Sequence, residues 1–109
     1  MSAALRTLRH QRGADMLLVL LPGAYMTPEH YAENGFFTTV DQRDLKLDLL
    51  AVDLGLDAIS SGDAIPAVID QILHPARADY ARVWLGGISL GGLLSLCLNA
   101  DHPGVVDGL

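Results

Sequence analysis

The pattern of apolar positions divides the chain into alternating strand-like and helix-like segments. A continuous apolar run fills residues 16–21, and residues 47–52 and 82–86 are also rich in apolar side chains. Short, nearly unbroken apolar runs are typical of parallel strands that are covered on both faces. Between the last two runs, apolar residues recur with helical spacing at Ile65, Val68, Ile69, Ile72 and Leu73. This order predicts β-α-β units and therefore an α/β fold with a mostly parallel sheet.

Capping residues predict where the first helix lies. Thr27 is suited to cap a helix that has Pro28 at its first position. Gly35 indicates the end of that helix, because a helix commonly ends at a residue with positive φ. Residues 36–44 show a weaker pattern, which we interpret as a short helical or irregular segment.

The later helices are bounded by similar signals. Residues 53–62 are rich in turn-forming types, and Asp63 is the predicted cap of the helix that follows. Pro75 disfavours the helical conformation at His74, so this helix is predicted to end there. Leucines surround most of a third helix, over residues 90–99, and we expect it to be buried on several sides. Residues 105–109 resemble the approach to a further strand.

Composition limits the class of protein. The 109 residues suffice for one domain, and we treat residues 1–109 as a single unit. Half of the residues are hydrophobic and 18% are charged, which predicts a buried core. The net charge of −6 disfavours a nucleic-acid partner, since phosphate binding needs a basic surface. No apolar run reaches the length of about 18 residues expected of a membrane span.

The cysteine content bears on the compartment. Cys97 has no second cysteine with which to form an internal disulfide, and we expect it to be a small hydrophobic residue of the core. A lone cysteine in an apolar helix suits a reducing compartment, so the sequence predicts a cytoplasmic protein. It shows no metal-ligand cluster and no cofactor motif.

The motif Gly87-Ile88-Ser89-Leu90-Gly91 lies between a predicted strand and a predicted helix. Gly-x-Ser-x-Gly in that context is typical of a nucleophile elbow, a sharp turn that exposes the serine hydroxyl. Residues that flank the serine in so tight a turn must lack bulk. An ordinary tight-turn serine and a phosphate-binding glycine loop are the alternatives. The second is disfavoured because no Lys-Ser or Lys-Thr pair follows.

Three segments, in this order, resemble the amino-terminal half of an α/β-hydrolase-fold enzyme. Residues 20–24 (LLPGA) are similar to the family's oxyanion strand and loop. Residues 50–55 (LAVDLG) are similar to its next strand, and residues 86–92 (GGISLGG) to its nucleophile elbow. The resemblance implies a three-layer α/β/α fold, of which this chain would be a truncated part. Asp53, at the tip of the second segment, is interpreted as a loop-capping residue in preference to a catalytic one.

The resemblance also implies a chemistry. Ser89 would be the nucleophile of a serine hydrolase that forms an acyl-enzyme from a carboxylic ester or related acyl bond. The N–H of Leu90, directly after the nucleophile, would be one oxyanion donor. Ala24 would supply the second donor, with Tyr25 as the next candidate.

The same loop is expected to contribute to substrate binding. Gly23, Tyr25 and Met26 are the candidate binding residues, and the expected ligand is a small ester. The side chains of Tyr25 and Met26 have an equally good alternative, which is to pack on the sheet. We expect neither a cofactor nor a metal, because the sequence contains no motif for either.

The general base is the missing part. In this family the acid and then the histidine follow the serine along the chain. His102 is the only later histidine, and a helical rise of 1.5 Å per residue puts it on the order of 20 Å from Ser89. His30 precedes the serine, which contradicts the family order. We therefore expect the triad acid and histidine to be absent and the chain to be an inactive fragment of a serine hydrolase.

The absence of a base leaves an alternative function. The chain would then be a non-catalytic protein that binds a small molecule or a partner chain on a hydrolase scaffold. A sheet that stops near residues 105–109 would leave a hydrophobic edge open, and such an edge favours self-association.

Overall fold

The computed structural model describes residues 4–109. In that part of the chain one mixed sheet contains the strands β1 (Thr7–His10), β2 (Met16–Leu21), β3 (Asp48–Val52) and β4 (Arg82–Gly87). Their order in the sheet is β1-β3-β2-β4. Strand β2 pairs in parallel with β3 on one side and β4 on the other, whereas β1 pairs antiparallel with β3. The predicted α/β class is confirmed.

Helices fill the connections. Helices α1 (Pro28–Glu33) and α2 (Phe36–Gln42) follow β2, and α6 (Leu90–Asp101) follows β4. Between β3 and β4 the chain forms α3 (Leu56–Ser61), α4 (Ala64–Val68), a π-helical turn (Ile69–Leu73) and α5 (His74–Asp79). No helix among residues 4–109 combines the length and hydropathy that crossing a membrane requires.

Alternate residues of the strands contribute to two separate cores, because successive strand side chains point to opposite faces. On one face, Leu20 of β2 belongs to a cluster with Tyr31 of α1 and Val40 of α2. On the other face, Leu21 belongs to a larger cluster with residues from α4 to α5 and with Leu98 of α6. The connection after β2 and the helix after β4 thus pack on different faces.

Strand β1 was not predicted. Its four residues alternate between exposed and half-buried positions, and arginines lie within and on both sides of it. Such a segment has no apolar run of its own, and only its pairing with β3 makes it a strand. The helix α3 was also missed, since residues 53–62 were predicted as turns.

The predicted helix end at His74-Pro75 is wrong. Helical structure continues from Ala64 to Asp79, with Pro75 near the start of α5. The π-helical turn directly before His74 widens the backbone spacing. This widening relieves the clash between a proline ring and the carbonyl of the preceding turn.

Helix α6 is less buried than expected. Its buried residues are Gly91, Ser95 and Leu98, whereas Leu93 and Leu96 are 57% and 59% exposed. Cys97 is exposed as well, so the expectation that it belongs to the core is wrong. The described residues cover only one side of this helix.

Residues 107 and 108 lie along the outer edge of β4. The N–H of Asp107 donates to Val83 O at 2.8 Å, and the N–H of Leu85 donates to Gly108 O at 3.1 Å. Trp84 and Gly108 form an isolated parallel bridge. The predicted approach to a further strand is therefore present as a bridge, and it covers the middle of the β4 edge.

A buried carboxylate, that of Asp48, lies at the start of β3. It is therefore at the rim of the sheet where the parallel strands begin. Asp48 is 1% exposed and accepts hydrogen bonds from the backbone N–H of Arg12 at 2.7 Å and of Ala14 at 3.2 Å. The Tyr80 hydroxyl donates to its second oxygen at 2.6 Å. Burial by itself would raise the pKa of Asp48. These hydrogen bonds outweigh that effect and hold the pKa below its ordinary value.

Candidate active site

Ser89 occupies the turn between β4 and α6, with φ 56° and ψ −115°. A positive φ is uncommon for a residue with a side chain, and strain of this kind concentrates at functional sites. The residue is exposed, and its hydroxyl makes no hydrogen bond within residues 4–109. The predicted strand-turn-helix context of the motif is confirmed.

The glycines on both sides of Ser89 allow close backbone packing. A Cβ on Gly87 would lie 2.7 Å from Leu21 O and 2.8 Å from Gly91 Cα. A Cβ on Gly91 would overlap Leu21 O and lie 2.9 Å from Pro22 O. Because these neighbours are backbone atoms, they cannot swing aside. The prediction that residues flanking the serine must lack bulk is confirmed at both positions.

The loop after β2 forms a tight turn. The N–H of Met26 donates to Gly23 O at 3.1 Å, and Tyr25, the third residue of the turn, has φ 63°. A positive φ at this position is the signature of a type II turn, where glycine or asparagine is usual. Ala24 and Tyr25 are exposed at the tip, and Gly23 is buried at the base.

This loop and the Ser89 turn lie at the same edge of the sheet. Leu21 and Gly87 are register partners at the carboxyl ends of β2 and β4. Beyond them the chain passes to opposite faces, which makes this crevice a topological switch point, the usual place for ligands on open α/β sheets. A Cβ on Gly23 would lie 3.1 Å from Ile88 O, so the loop and the turn are in contact.

The structure therefore brings the predicted site residues together. The backbone N–H groups of Leu90, Ala24 and Tyr25 donate no hydrogen bond within residues 4–109. The N–H of Gly23, by contrast, donates to the Met26 sulfur at 3.2 Å. Leu90 is the first residue of α6, where the helix dipole adds to the attraction for negative charge.

The two side chains predicted to bind substrate are placed differently from one another. Tyr25 is 86% exposed and projects into solvent, whereas Met26 is half-buried and folds over Gly23. An apolar cavity of about 390 Å³ lies elsewhere, against α2. It is lined by Leu18, Asn34, Gly35, Phe36, Thr39, Val40, Leu45, Leu47 and Leu49. Ser89, Tyr25 and Met26 are not among the residues that line this cavity.

None of the four histidines, which all lie within residues 4–109, is hydrogen-bonded to Ser89, and two of them have other partners. His30 Nδ1 accepts the N–H of Thr27 at 2.9 Å as part of a capping box, so the neutral ring carries its proton on Nε2. It can act as a base only by giving up that cap. His10 pairs with Asp41 at 2.9 Å. His102 follows the 12-residue helix α6, about 18 Å long, in agreement with the predicted separation.

Sequence reasoning missed Tyr31. This residue of α1 is 0% exposed, and its hydroxyl donates to Leu21 O at 2.5 Å and accepts the N–H of Ile88 at 3.2 Å. Burial raises the pKa of this hydroxyl, against the opposing effect of the Ile88 hydrogen bond. Nothing in the sequence around position 31 separates it from an aromatic residue that only packs.

An ion-pair network lies at the carboxyl end of β3. Arg6 contacts Glu29 at 2.7 Å and Asp53 at 3.2 Å. The hydrogen bond from Arg6 is the main reason that the pKa of Glu29 is lowered to about 2. Asp53 thus has a structural partner, in line with its interpretation as a loop residue. No group of three or more metal-ligating side chains occurs among residues 4–109.

Comparisons with known proteins assign no family to the chain, so its function is inferred from the geometry of the site. No protein-family model, no curated protein and no solved structure matches the chain.

Proposed function

We propose that this chain carries the nucleophile part of a serine hydrolase of the α/β-hydrolase fold, acting on a carboxylic ester or a related acyl bond. The observation that supports it most is the strained turn at Ser89, placed beside unbonded backbone N–H groups at the switch point of the sheet. Apolar clusters on both faces of the sheet support the three-layer form of that fold.

The reaction follows from the arrangement of these groups. The Ser89 oxygen attacks the carbonyl carbon, and negative charge develops on the former carbonyl oxygen. The N–H of Leu90 and that of Ala24 or Tyr25 stabilise this charge, and losing one such donor typically costs about 2.7–4 kcal/mol. The base that took the Ser89 proton passes it to the departing oxygen as the bond to the alcohol breaks, and water then hydrolyses the acyl-enzyme to the free acid and Ser89.

Ser89 must lose its proton for this attack, and a hydroxyl is a weak nucleophile without a base. Because no histidine within residues 4–109 is hydrogen-bonded to Ser89, a test on this chain supplies the base from solution. We expect a fluorophosphonate ester to label Ser89 in a reaction that excess imidazole accelerates. Mass spectrometry of the digested protein locates the label.

The chain contains its own reference serines. Ser60 and Ser61 are exposed residues of helix α3 and have no strained turn or oxyanion donors beside them. We expect labelling at Ser89 to exceed labelling at both, and Ser89→Ala to leave only the background. Equal labelling of the three serines would contradict the proposed function.

A second function is favoured by one observation. The cavity of about 390 Å³ against α2 is mainly apolar, a property of small-molecule sites. Non-catalytic binding there predicts saturable uptake of an apolar fluorescent dye. Thr39 lines the cavity and the exposed Thr38 does not. Thr39→Trp should abolish this uptake and Thr38→Trp should preserve it, and equal binding by both variants would exclude the cavity.

A further inference from the structure

We propose that Tyr31 is a positioning residue of this site, whose hydroxyl fixes the separation between the two oxyanion donors. This inference rests on the proposed function and extends it to a residue on a different helix. Tyr31 touches neither substrate nor nucleophile. It acts through the two backbone segments that carry the donors.

The hydroxyl joins two segments that the sheet itself no longer holds together. Leu21 and Gly87 are the last register partners of β2 and β4, and the chain then diverges toward different faces. The Tyr31 hydroxyl lies just past this point, bonded to Leu21 O at 2.5 Å and to the N–H of Ile88 at 3.2 Å. It continues the connection between the strands where ladder hydrogen bonds end.

Both bonded groups are close to the donors along the chain. Ile88 directly precedes Ser89, and its carbonyl accepts the N–H of Gly91 at 3.0 Å. Ile88, the residue before the strained serine, is therefore held through its N–H by Tyr31 and through its carbonyl by the first turn of α6. On the other segment, Leu21 leads through the buried Gly23 to the turn that carries Ala24.

Packing of the ring accounts for the burial of Tyr31 but gives no reason for the presence of its hydroxyl group. The rings of Tyr31 and Phe36 meet edge to face, with centroids 5.0 Å apart and an interplanar angle of 84°. Phenylalanine would pack in the same place. Removing the hydroxyl would leave a buried carbonyl and an amide without this partner and would let the two segments separate.

The test compares two variants that lose the same atom. Tyr31→Phe removes the hydroxyl at the carboxyl rim, and Tyr80→Phe removes one that bonds to Asp48 at the opposite rim. With imidazole and the fluorophosphonate, we expect Tyr31→Phe to lower the maximal rate constant of Ser89 labelling by about 10- to 100-fold, as donor misplacement near 1 Å does. The half-saturating probe concentration should stay unchanged, because the oxyanion charge develops only during reaction. Tyr80→Phe should leave both constants unchanged.

The outcomes separate this inference from the proposed function. If Ser89 is not labelled in the unmodified chain, the proposed function fails and the role of Tyr31 with it. If Ser89 is labelled and Tyr31→Phe reacts at the unmodified rate, only the role of Tyr31 is overturned. If Tyr31→Phe does not unfold cooperatively, amide hydrogen exchange in the unmodified chain tests the role of Tyr31 instead. An Ile88 amide protected far beyond those of Ala24 and Tyr25 supports the hydroxyl bridge, and equal exchange overturns it.

Discussion

Replacing Gly91 with alanine tests the packing on which the site depends. Gly91 is the second residue of α6 and is buried against the end of β2. A Cβ there would lie 2.7 Å from the Leu21 carbonyl carbon and 2.9 Å from Pro22 O, besides overlapping Leu21 O. Because these atoms belong to the backbone of a buried strand and its loop, the added methyl group must push α6 and the loop apart.

Two opposing effects set the size of the change. Alanine is favoured over glycine by up to about 1 kcal/mol within a helix. Overpacking of a close-packed interior typically costs about 1–3 kcal/mol, and contacts to rigid backbone belong at the upper end of that range. We therefore expect Gly91→Ala to lower the free energy of unfolding by about 2 kcal/mol.

Gly92→Ala is the matched control. Gly92 is the next residue of the same helix and gains the same helix propensity. Its Cβ would lie 3.1 Å from Gly87 O, close enough to require only a small adjustment. We expect its stability to stay within about 1 kcal/mol of the unmodified chain.

Urea unfolding followed by circular dichroism measures both variants. The Gly91→Ala midpoint should fall well below that of Gly92→Ala, with a similar dependence on urea. Labelling of Ser89 should also slow in Gly91→Ala, since the displaced loop carries the proposed second oxyanion donor. Equal stability of the two variants would mean that α6 does not approach the end of β2 as described.

Substitutions at two other positions test the buried carboxylate and the strained turn. Because the folded-state pKa of Asp48 lies below 3.8, its ionised form stabilises the fold above that pH, and this contribution is lost as pH falls through the lowered pKa. Asp48→Asn should lower the free energy of unfolding at neutral pH by about 1–3 kcal/mol. It should also make that free energy fall less steeply as the pH is lowered. Urea titrations at a series of pH values measure this, and the same pH dependence in the variant and the unmodified chain would contradict it. Ser89→Gly and Ser89→Ala both remove the hydroxyl, but only glycine relieves the positive φ. Thermal unfolding should therefore show the glycine variant more stable by about 1 kcal/mol, and equal melting temperatures would exclude strain at this turn.

Much of the fold and the core of the candidate site could be predicted because they depend on local patterns. Apolar runs indicated β2, β3 and β4, and helical spacing indicated the segment that begins at Ala64. The turn at Ser89 was recognisable because glycines at fixed positions around a serine indicate that the backbone there has no space for side chains. The positions of the unbonded N–H groups of Leu90, Ala24 and Tyr25 also follow from local turns, because these groups belong to the backbone.

Other features were not predictable because the residues that form them are far apart in the chain. Strand β1 exists through its pairing with β3, and Asp48 is buried through partners on the loop before β2 and at Tyr80, 32 positions away. The bridge of Tyr31 to Ile88 joins residues 57 positions apart. Neither the apolar periodicity of a sequence nor its helix caps indicate such a long-range contact.

The sequence by itself determined the class of fold, the positions of β2, β3 and β4 and the tight turn at Ser89, because each follows from the pattern of neighbouring residues. Only the tertiary structure decided which segments meet at the carboxyl rim and which hydroxyl joins them. It also decided which side of α6 the described chain leaves uncovered. The physical reason is that hydrogen bonds and buried surface form between whichever groups the completed fold brings together, however far apart they are along the chain.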